Sequence, residues 1–240
     1  MQTTQHLLDR MSAQADVWEK NSDQRYVFQR CYGMMSRNMV QAVADGRFTD
    51  AQWVERLMLR FADYYYDALT LYEQQHPDTP PVWKQVHDVA LQKRLHIMQH
   101  LLLGINAHIN YDLPLALYDG LHAEWPTLAE PERQIRKTDH ETVNIIIAET
   151  IDTVQDEVIE PRSPVMALVD RLMGRMDEWL LAQLITGWRT EVWRVTLDLL
   201  TAVTPNQWEA IRAAQEQKVL TRGKELSRTR LMRISKARVP

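Results

Sequence analysis

The chain has 240 residues, of which 45% are hydrophobic and 25% charged, with a formal net charge of −4 and a single cysteine, Cys31. This length and hydrophobic content suffice to bury a core, and one cysteine excludes an intramolecular disulfide. Glycine is scarce, helix-favouring residues are plentiful and no alternating strand pattern recurs, which predicts an all-α protein. No stretch approaches the roughly 18 uninterrupted apolar residues of a membrane span. We therefore expect a cytoplasmic chain with no transmembrane segment.

Capping residues, glycines and prolines divide the chain into predicted helices. In chain order the segments are residues 9–46 as one or two helices, 53–75, 82–113, 138–158, 163–202 and 205–217. Thr49 or Asp50 is the expected cap of the helix over 53–75, and Thr138 or Asp139 of the helix over 138–158. Pro114 is expected to kink or stop the longest helix. Together these elements predict one compact domain over residues 1–217, a bundle of six to nine helices.

Residues 218–240 form a predicted basic tail with eight Lys or Arg residues and one Glu. Such a tail can contact the acidic body of its own chain, an acidic partner, nucleic acid or anionic lipid, or it can be a solvated terminus. It contains no aromatic residue on which a base would stack, and no nucleic-acid-binding motif occurs elsewhere. We expect no sequence-specific nucleic-acid binding, and an oligomer is compatible with the sequence.

A polar stripe crosses the apolar segment "HIMQHLLLGINAHINYDLPLAL" at every fourth position: His96, His100, Gly104, His108 and Asp112. Residues four apart lie on one slowly rotating helix face, and the apolar residues around them predict a central helix. Buried polar groups need a hydrogen bond, an ion pair or a metal. The HxxxH and HxxxD pairs have metal-ligand spacing, and the glycine lets an ion, a substrate or another helix approach.

Further polar residues flank this stripe. Asn106 and Asn110 lie roughly opposite it on an ideal helix. A second set lies on the predicted helix over 138–158: Asp139, His140, Asn144 and Asp152. If the two helices pack together, this set completes the polar centre, as facing helices do in bundle metal sites. Arg189 is expected to bind an anionic substrate or to pair with a buried carboxylate such as Asp152 or Asp177.

The block "LHIMQHLLLGINAHINYDLPLAL", followed by "DHETVNIIIAETIDTVQDEV" and "GWRTEVW", resembles an uncharacterised family of helical bacterial and fungal proteins. The family carries a central HLLLGxNAHINxDL motif, and the resemblance covers residues 80–200. It implies that the family residues include, from both blocks, His100, Asn106, His108, Asn110, Asp112, Asp139, Asn144, Asp152 and Gln155. Because the family has no assigned activity, the resemblance implies membership in this family but does not imply a particular reaction.

The stretch "LGINAHINYDLPLAL" is similar, at a greater distance, to the HxxxDxxxPxH stretch of the zinc-dependent phospholipase C and nuclease superfamily, whose members are all-α. His108 and Asp112 match the spacing of that stretch. The later histidine has no match, because Tyr118 stands in its region. This resemblance implies a zinc site smaller than that of the superfamily, with one or two ions.

Taken together, the motifs predict a metal-dependent hydrolase acting on a small-molecule phosphoester or related ester, with zinc activating a water. A site with His and carboxylate ligands is also compatible with iron and oxygen chemistry. The expected metal ligands are His96, His100, His108, Asp112 and His140. The residues expected to contact or orient the substrate are Asn106, Asn110, Asp139, Asn144, Asp152 and Arg189. Two alternatives stay open: a non-catalytic scaffold or ligand-binding protein whose motif is a buried hydrogen-bond network, and a metal-free biosynthetic enzyme using His108 and Asp112 as an acid–base pair.

Overall fold

The computed structural model describes residues 3–92, 95–159 and 176–228. Within these ranges the chain contains nine α-helices and no strand, which confirms the predicted all-α bundle. The helices are α1 (Thr4–Lys20), α2 (Tyr26–Ala44), α3 (Ala51–Glu73), α4 (Pro81–Leu91), α5 (Ile97–Ala107), α6 (Leu113–Leu121), α7 (Glu130–Val154), α8 (Met176–Leu200) and α9 (Pro205–Arg228). Two π-helical turns, His108–Asp112 and Gln155–Ile159, follow α5 and α7. None of the described helices is long and apolar enough to cross a membrane.

Several helices begin where the sequence predicts. The Asp50 carboxylate accepts a hydrogen bond from the Trp53 backbone N–H at 2.9 Å, so Asp50 is the N-cap of α3. The Thr204 hydroxyl accepts from the Gln207 N–H at 3.1 Å at the start of α9. In both places a side-chain oxygen satisfies an N–H group that has no partner inside the helix.

The predicted helix over residues 82–113 is in fact two helices. α4 ends at Leu91 and α5 begins at Ile97, with His96 as its N-cap. The His96 Nδ1 atom accepts from the Met98 N–H at 3.3 Å, which starts a new helix in the middle of an apolar pattern.

Two further predictions of helix ends are corrected by the structure. Pro114 does not stop the helix, because it lies in the first turn of α6, directly after the π-helical turn. Residues 130–137 already belong to α7, so Thr138 and Asp139 lie inside that helix and do not cap it. The predicted start at Ser163 lies outside the described residues.

The helix that carries the polar stripe is central, as predicted. α5 packs against α2, α4 and α9, and its Leu101, Leu103 and Ala107 side chains are buried. Gly104 explains how closely α2 approaches, because a Cβ atom at this position would lie 2.4 Å from the Phe28 ring. The sequence was compatible with an ion, a substrate or another helix beside this glycine, and in the structure its neighbour is another helix.

The last helix packs along α4 and α5 and includes part of the predicted tail. Val219 is fully buried, and α9 continues to Arg228, so the predicted boundary between residues 217 and 218 falls inside it. Lys218 and Arg222 both form ion pairs with Glu191 of α8. The first part of the basic segment therefore contacts the body of its own chain, while residues 229–240 lie outside the described residues.

Candidate functional site

A cavity lies between α2, α3, α5 with its π-helical turn, α7 and α8 in the described part of the chain. The space between these helices is about 1200 Å³ when the part open to solvent is included. Its wall is mainly apolar, and the polar side chains in it include Tyr32, His108, Asp139, His140 and Arg189. An apolar cavity with a few convergent polar groups is the usual form of a small-molecule site.

His108 and Asp112 form a buried hydrogen-bonded pair. The His108 Nδ1 atom lies 2.8 Å from Asp112 Oδ2, and the Trp83 Nε1–H group donates to both carboxylate oxygens at 3.0 Å. The Trp83 hydrogen bond favours the ionised form of Asp112, and with Asp112 ionised the proton shared by the pair lies on Nδ1. The Nε2 atom of His108 then has a free lone pair, and it has no hydrogen-bond partner among the described residues.

Aromatic rings surround this imidazole. The Phe61 ring stacks on His108 with centroids 3.6 Å apart and planes at 7°, and the Tyr32 centroid lies 4.4 Å away. Burial lowers the pKa of His108 far below its usual value, so the ring is neutral at pH 7. Burial also raises the pKa of the Asp112 carboxyl group well above its usual value, and the Trp83 hydrogen bond opposes that rise without cancelling it.

The π-helical turn has a local cause in the sequence. Pro114 has no N–H, so the carbonyl oxygen of Asn110 lacks its ordinary helical partner. The Gln215 side chain of α9 donates to that oxygen at 2.7 Å, and the Leu113 N–H bonds to the His108 carbonyl in the wider π pattern. Single π-helical turns of this kind are frequent at functional sites.

Asn106 and Asn110 point away from the cavity and join α5 to α9. Asn106 Nδ2 donates to the Val219 carbonyl at 3.0 Å, and Asn110 Nδ2 donates to Asn106 Oδ1 at 3.2 Å. Neither asparagine lines the cavity, so their predicted role in orienting a substrate does not match their position there. This side of the central helix carries a buried hydrogen-bond network, which was one of the open alternatives.

The predicted metal ligands do not converge. His96 caps α5, and His100 faces a second, smaller pocket that His87 and Trp83 also line. Burial lowers the pKa of His100 to about 4. Among the described residues no group of three or more His, Cys, Asp or Glu side chains is arranged to hold a metal ion. The donor set predicted for zinc or iron therefore does not fit the arrangement of these residues.

His140 does reach the cavity that His108 lines, but both of its ring nitrogens are engaged. Nε2 lies 3.2 Å from the Arg189 carbonyl oxygen and Nδ1 lies 3.2 Å from the Arg189 guanidinium. Burial lowers the pKa of His140, and the nearby guanidinium lowers it further. A neutral ring with the proton on Nε2 satisfies both contacts, which leaves no nitrogen for a metal.

The Asp139 carboxylate is committed to a structural contact. Its two oxygens accept from the backbone N–H groups of Thr49 and Asp50, each at 2.8 Å, and so fix the turn that starts α3. α7 packs mainly against α2 and α8, and it faces the histidine helix across the cavity, so the predicted direct packing of these two helices stays a prediction. Asp152 lies in α7 and Asp177 in α8, but their side chains lie outside the described residues.

Arg189, on α8, lies in the wall of the cavity that His108 and His140 also line. Its Nε atom donates to Asn144 Oδ1 at 2.8 Å, and its Nη2 atom donates to the His140 carbonyl oxygen at 2.6 Å. Asn144 therefore positions the guanidinium from α7. Of the predicted second set, the structure brings Asp139 and His140 into the cavity wall, together with Arg189 and His108.

Sequence reasoning missed three residues that shape this site. Trp83 is the donor to Asp112, Phe61 stacks on His108, and Tyr32 lines the cavity with a hydroxyl that has no hydrogen bond to a described residue. Each lies on a different helix from the polar stripe. The sequence shows them as aromatic residues of amphipathic helices, and such residues most often pack in a core.

The sequence model of one family matches nearly the whole chain. It is described as a family of unknown function (DUF5995), and it covers residues 4–229. The chain belongs to this family. No curated protein and no solved structure matches it. Membership in DUF5995 confirms the predicted relationship to an uncharacterised family, whereas the likeness to zinc-dependent phospholipase C stays a prediction that these comparisons do not support.

Proposed function

We propose that this chain is a metal-independent enzyme that binds an apolar small molecule in the cavity and uses His108 as a general base. The observation that carries the proposal is the free Nε2 atom of His108, in a ring that lines the cavity. A neutral imidazole fixed at Nδ1 by a carboxylate, with an unpaired Nε2, is the arrangement in which histidine accepts protons during catalysis, and the buried Nε2 of His108 has no partner among the described residues.

Asp112 supports this chemistry by holding the ring. Its hydrogen bond to Nδ1 fixes the tautomer, and its charge stabilises the imidazolium that forms once Nε2 has taken a proton. Trp83 in turn holds the carboxylate through both oxygens. Surrounding aromatic rings exclude water from the pair, which strengthens the electrostatic coupling between the two groups.

Tyr32 is the proposed proton donor. Burial raises the pKa of its phenol well above the usual value, so the hydroxyl stays protonated at pH 7. It lines the same cavity, and its ring contacts that of His108. A base and a protonated donor side by side can remove one proton from a substrate and return another, or can activate a water toward an ester.

The test uses a probe that responds to any base inside an apolar cavity. 5-Nitrobenzisoxazole opens to a coloured phenolate once a base removes its C3 proton. We expect the wild-type protein to open it about 100-fold faster than free imidazole at the same concentration. His108→Gln should abolish that rate, and Asp112→Asn should lower it because an amide does not hold the required tautomer.

His122→Gln is the matched control, because His122 is exposed and lies outside the cavity. It should leave the rate unchanged, and circular dichroism should show that every variant is folded. A rate that survives in His108→Gln would contradict the proposal. A rate abolished by a chelator would favour the metal-dependent hydrolase that the sequence predicts, whereas the present proposal expects no effect of the chelator.

A further inference from the structure

Arg189 is a buried cation whose hydrogen-bond partners among the described residues are all uncharged. Only 5% of the residue is exposed. Its guanidinium bonds to the Asn144 amide oxygen and to the His140 carbonyl oxygen, and it makes no ion pair with a described residue. Burial without an opposing carboxylate lowers the pKa of Arg189 to about 9. Buried arginines are ordinarily paired with an acid, because a charge is costly to remove from water.

The guanidinium lies in the wall of the cavity that His108 also lines. Its Nη1 atom makes no hydrogen bond to a described residue, and the contacts of the guanidinium with described residues are all through Nε and Nη2. The neighbouring wall is apolar, with Val143 and Ile147 from α7 and Ile185 from α8. A ligand in this cavity therefore meets one unbalanced positive charge beside an apolar surface.

The one carboxylate among the described residues of the wall does not neutralise this charge. Both oxygens of Asp139 already accept backbone N–H groups, from Thr49 and Asp50 at 2.8 Å. Those two hydrogen bonds keep the Asp139 carboxylate directed at the turn before α3. Among the described residues, no carboxylate neutralises the charge of Arg189.

We propose that Arg189 is an anion subsite and that the cavity takes an amphipathic carboxylate, with an apolar chain against the wall and its carboxylate on the guanidinium. A single free nitrogen and a single unbalanced charge suit a monoanion better than a phosphate dianion. This inference rests on the proposed function, because it names the substrate class of the same cavity.

The experiment compares two ligands of equal chain length by isothermal titration calorimetry. Decanoate carries the anionic group, and decan-1-ol presents a neutral hydroxyl in its place. The wild-type protein should bind decanoate about tenfold or more tightly than decan-1-ol, which is the expected effect of one charge-assisted hydrogen bond. Arg189→Met should remove this preference while still binding the alcohol.

Arg194→Met is the matched control, because Arg194 lies on the same helix with 67% of its side chain exposed. It should keep the preference for decanoate. Equal affinities in the wild-type protein, binding of neither ligand, or a preference that survives in Arg189→Met would each overturn the inference. If Arg189→Met does not fold, the wild-type comparison still decides between these outcomes.

The experiments distinguish a failure of the proposed catalysis by His108 from a failure of the anion subsite at Arg189. His108→Gln should bind decanoate with the wild-type preference, because the anion subsite does not use the imidazole. A protein that prefers decanoate but does not open the benzisoxazole would refute the proposed catalysis and support the anion subsite. A protein that opens the benzisoxazole but binds both decyl ligands equally would refute the subsite and leave the catalysis standing.

Discussion

Among the described residues, four histidines are buried: His87, His100, His108 and His140. Burial is the largest cause in each case, and it lowers the pKa of every one of these rings, to about 3 for His87 and about 4 for His100. All four are therefore neutral in the folded protein at pH 7. Their environments differ, since His108 is hydrogen-bonded to a carboxylate whereas neither ring nitrogen of His87 has a partner among the described residues.

Neutral buried histidines predict that acid destabilises the fold. In the unfolded chain these rings take up protons near pH 6.5, whereas folded His87 and His100 stay neutral down to about pH 3 and about pH 4. The unfolded state thus binds more protons below pH 6.5, so stability falls as the pH drops from about 6.5 to about 4. Each ring contributes a slope of about 1.4 kcal/mol per pH unit in that window.

Urea unfolding at pH 7, 6 and 5 measures this slope. His87→Phe keeps an aromatic ring between Trp83 and Tyr72 and removes one titrating group, so its slope should be shallower by about 1.4 kcal/mol per pH unit. His122→Gln, a substitution at an exposed histidine, is the matched control and should keep the wild-type slope of stability against pH. Equal slopes in His87→Phe and the wild type would show that His87 is charged in the folded state.

At the level of single residues, the sequence located most of the polar groups but not their partners. Spacing by four correctly places His108 and Asp112 together, because a local helical interval brings them into contact. It cannot show that Trp83 donates to Asp112 or that Asp139 fixes the turn before α3, because these contacts join residues far apart in the chain. Only the packing of whole helices determines such pairs.

Among the elements, the central helix owes its position to a glycine. A Cβ atom at Gly104 would lie 2.4 to 2.7 Å from three atoms of the Phe28 side chain. Phe28 in turn contacts the rings of Tyr65, Trp83 and His108. The approach of α2 to α5 therefore fixes the aromatic surroundings of the catalytic pair proposed above.

Gly104→Ala should destabilise the fold by about 1–3 kcal/mol, because the Phe28 ring must move in a packed core. Gly187→Ala is the matched helical control, since a Cβ atom there meets nothing within 4 Å. It should raise stability by up to about 1 kcal/mol through helix propensity. Thermal and urea unfolding measure both, and a neutral effect of Gly104→Ala would contradict the close packing.

Helix existence was predictable from apolar periodicity, but two helix ends were not placed correctly. No glycine or proline marks the break before α5, where His96 supplies the cap, a role that Ser, Thr, Asp and Asn more often take. For α7 a usable feature was overlooked, because Pro131 stands in the first turn, a position that proline favours. The Glu132 side chain also accepts from the Ala129 N–H at 2.7 Å, which satisfies an N–H at this helix start.

On the scale of the whole molecule, two faces of the central polar helix have different roles: one packs on another helix and the other lines the cavity. Its face toward α9 carries Asn106 and Asn110 in a structural network, and its face toward the cavity carries His108. A sequence pattern records polar residues without showing which neighbour each one faces. The cavity itself was not predictable, because its wall combines side chains from α2, α3, α5, α7 and α8.

The central claim is that His108, which lines the cavity, is neutral, carries its proton on Nδ1 and has an unprotonated Nε2. Nitrogen NMR of the histidine rings in the ¹⁵N-labelled protein tests it most directly, with the His108 signals assigned by their loss in His108→Gln. We predict a protonated, pyrrole-like Nδ1 and an unprotonated, pyridine-like Nε2 that persist from pH 8 to pH 5. A proton on Nε2, or an imidazolium that forms near pH 6.5, would contradict the account.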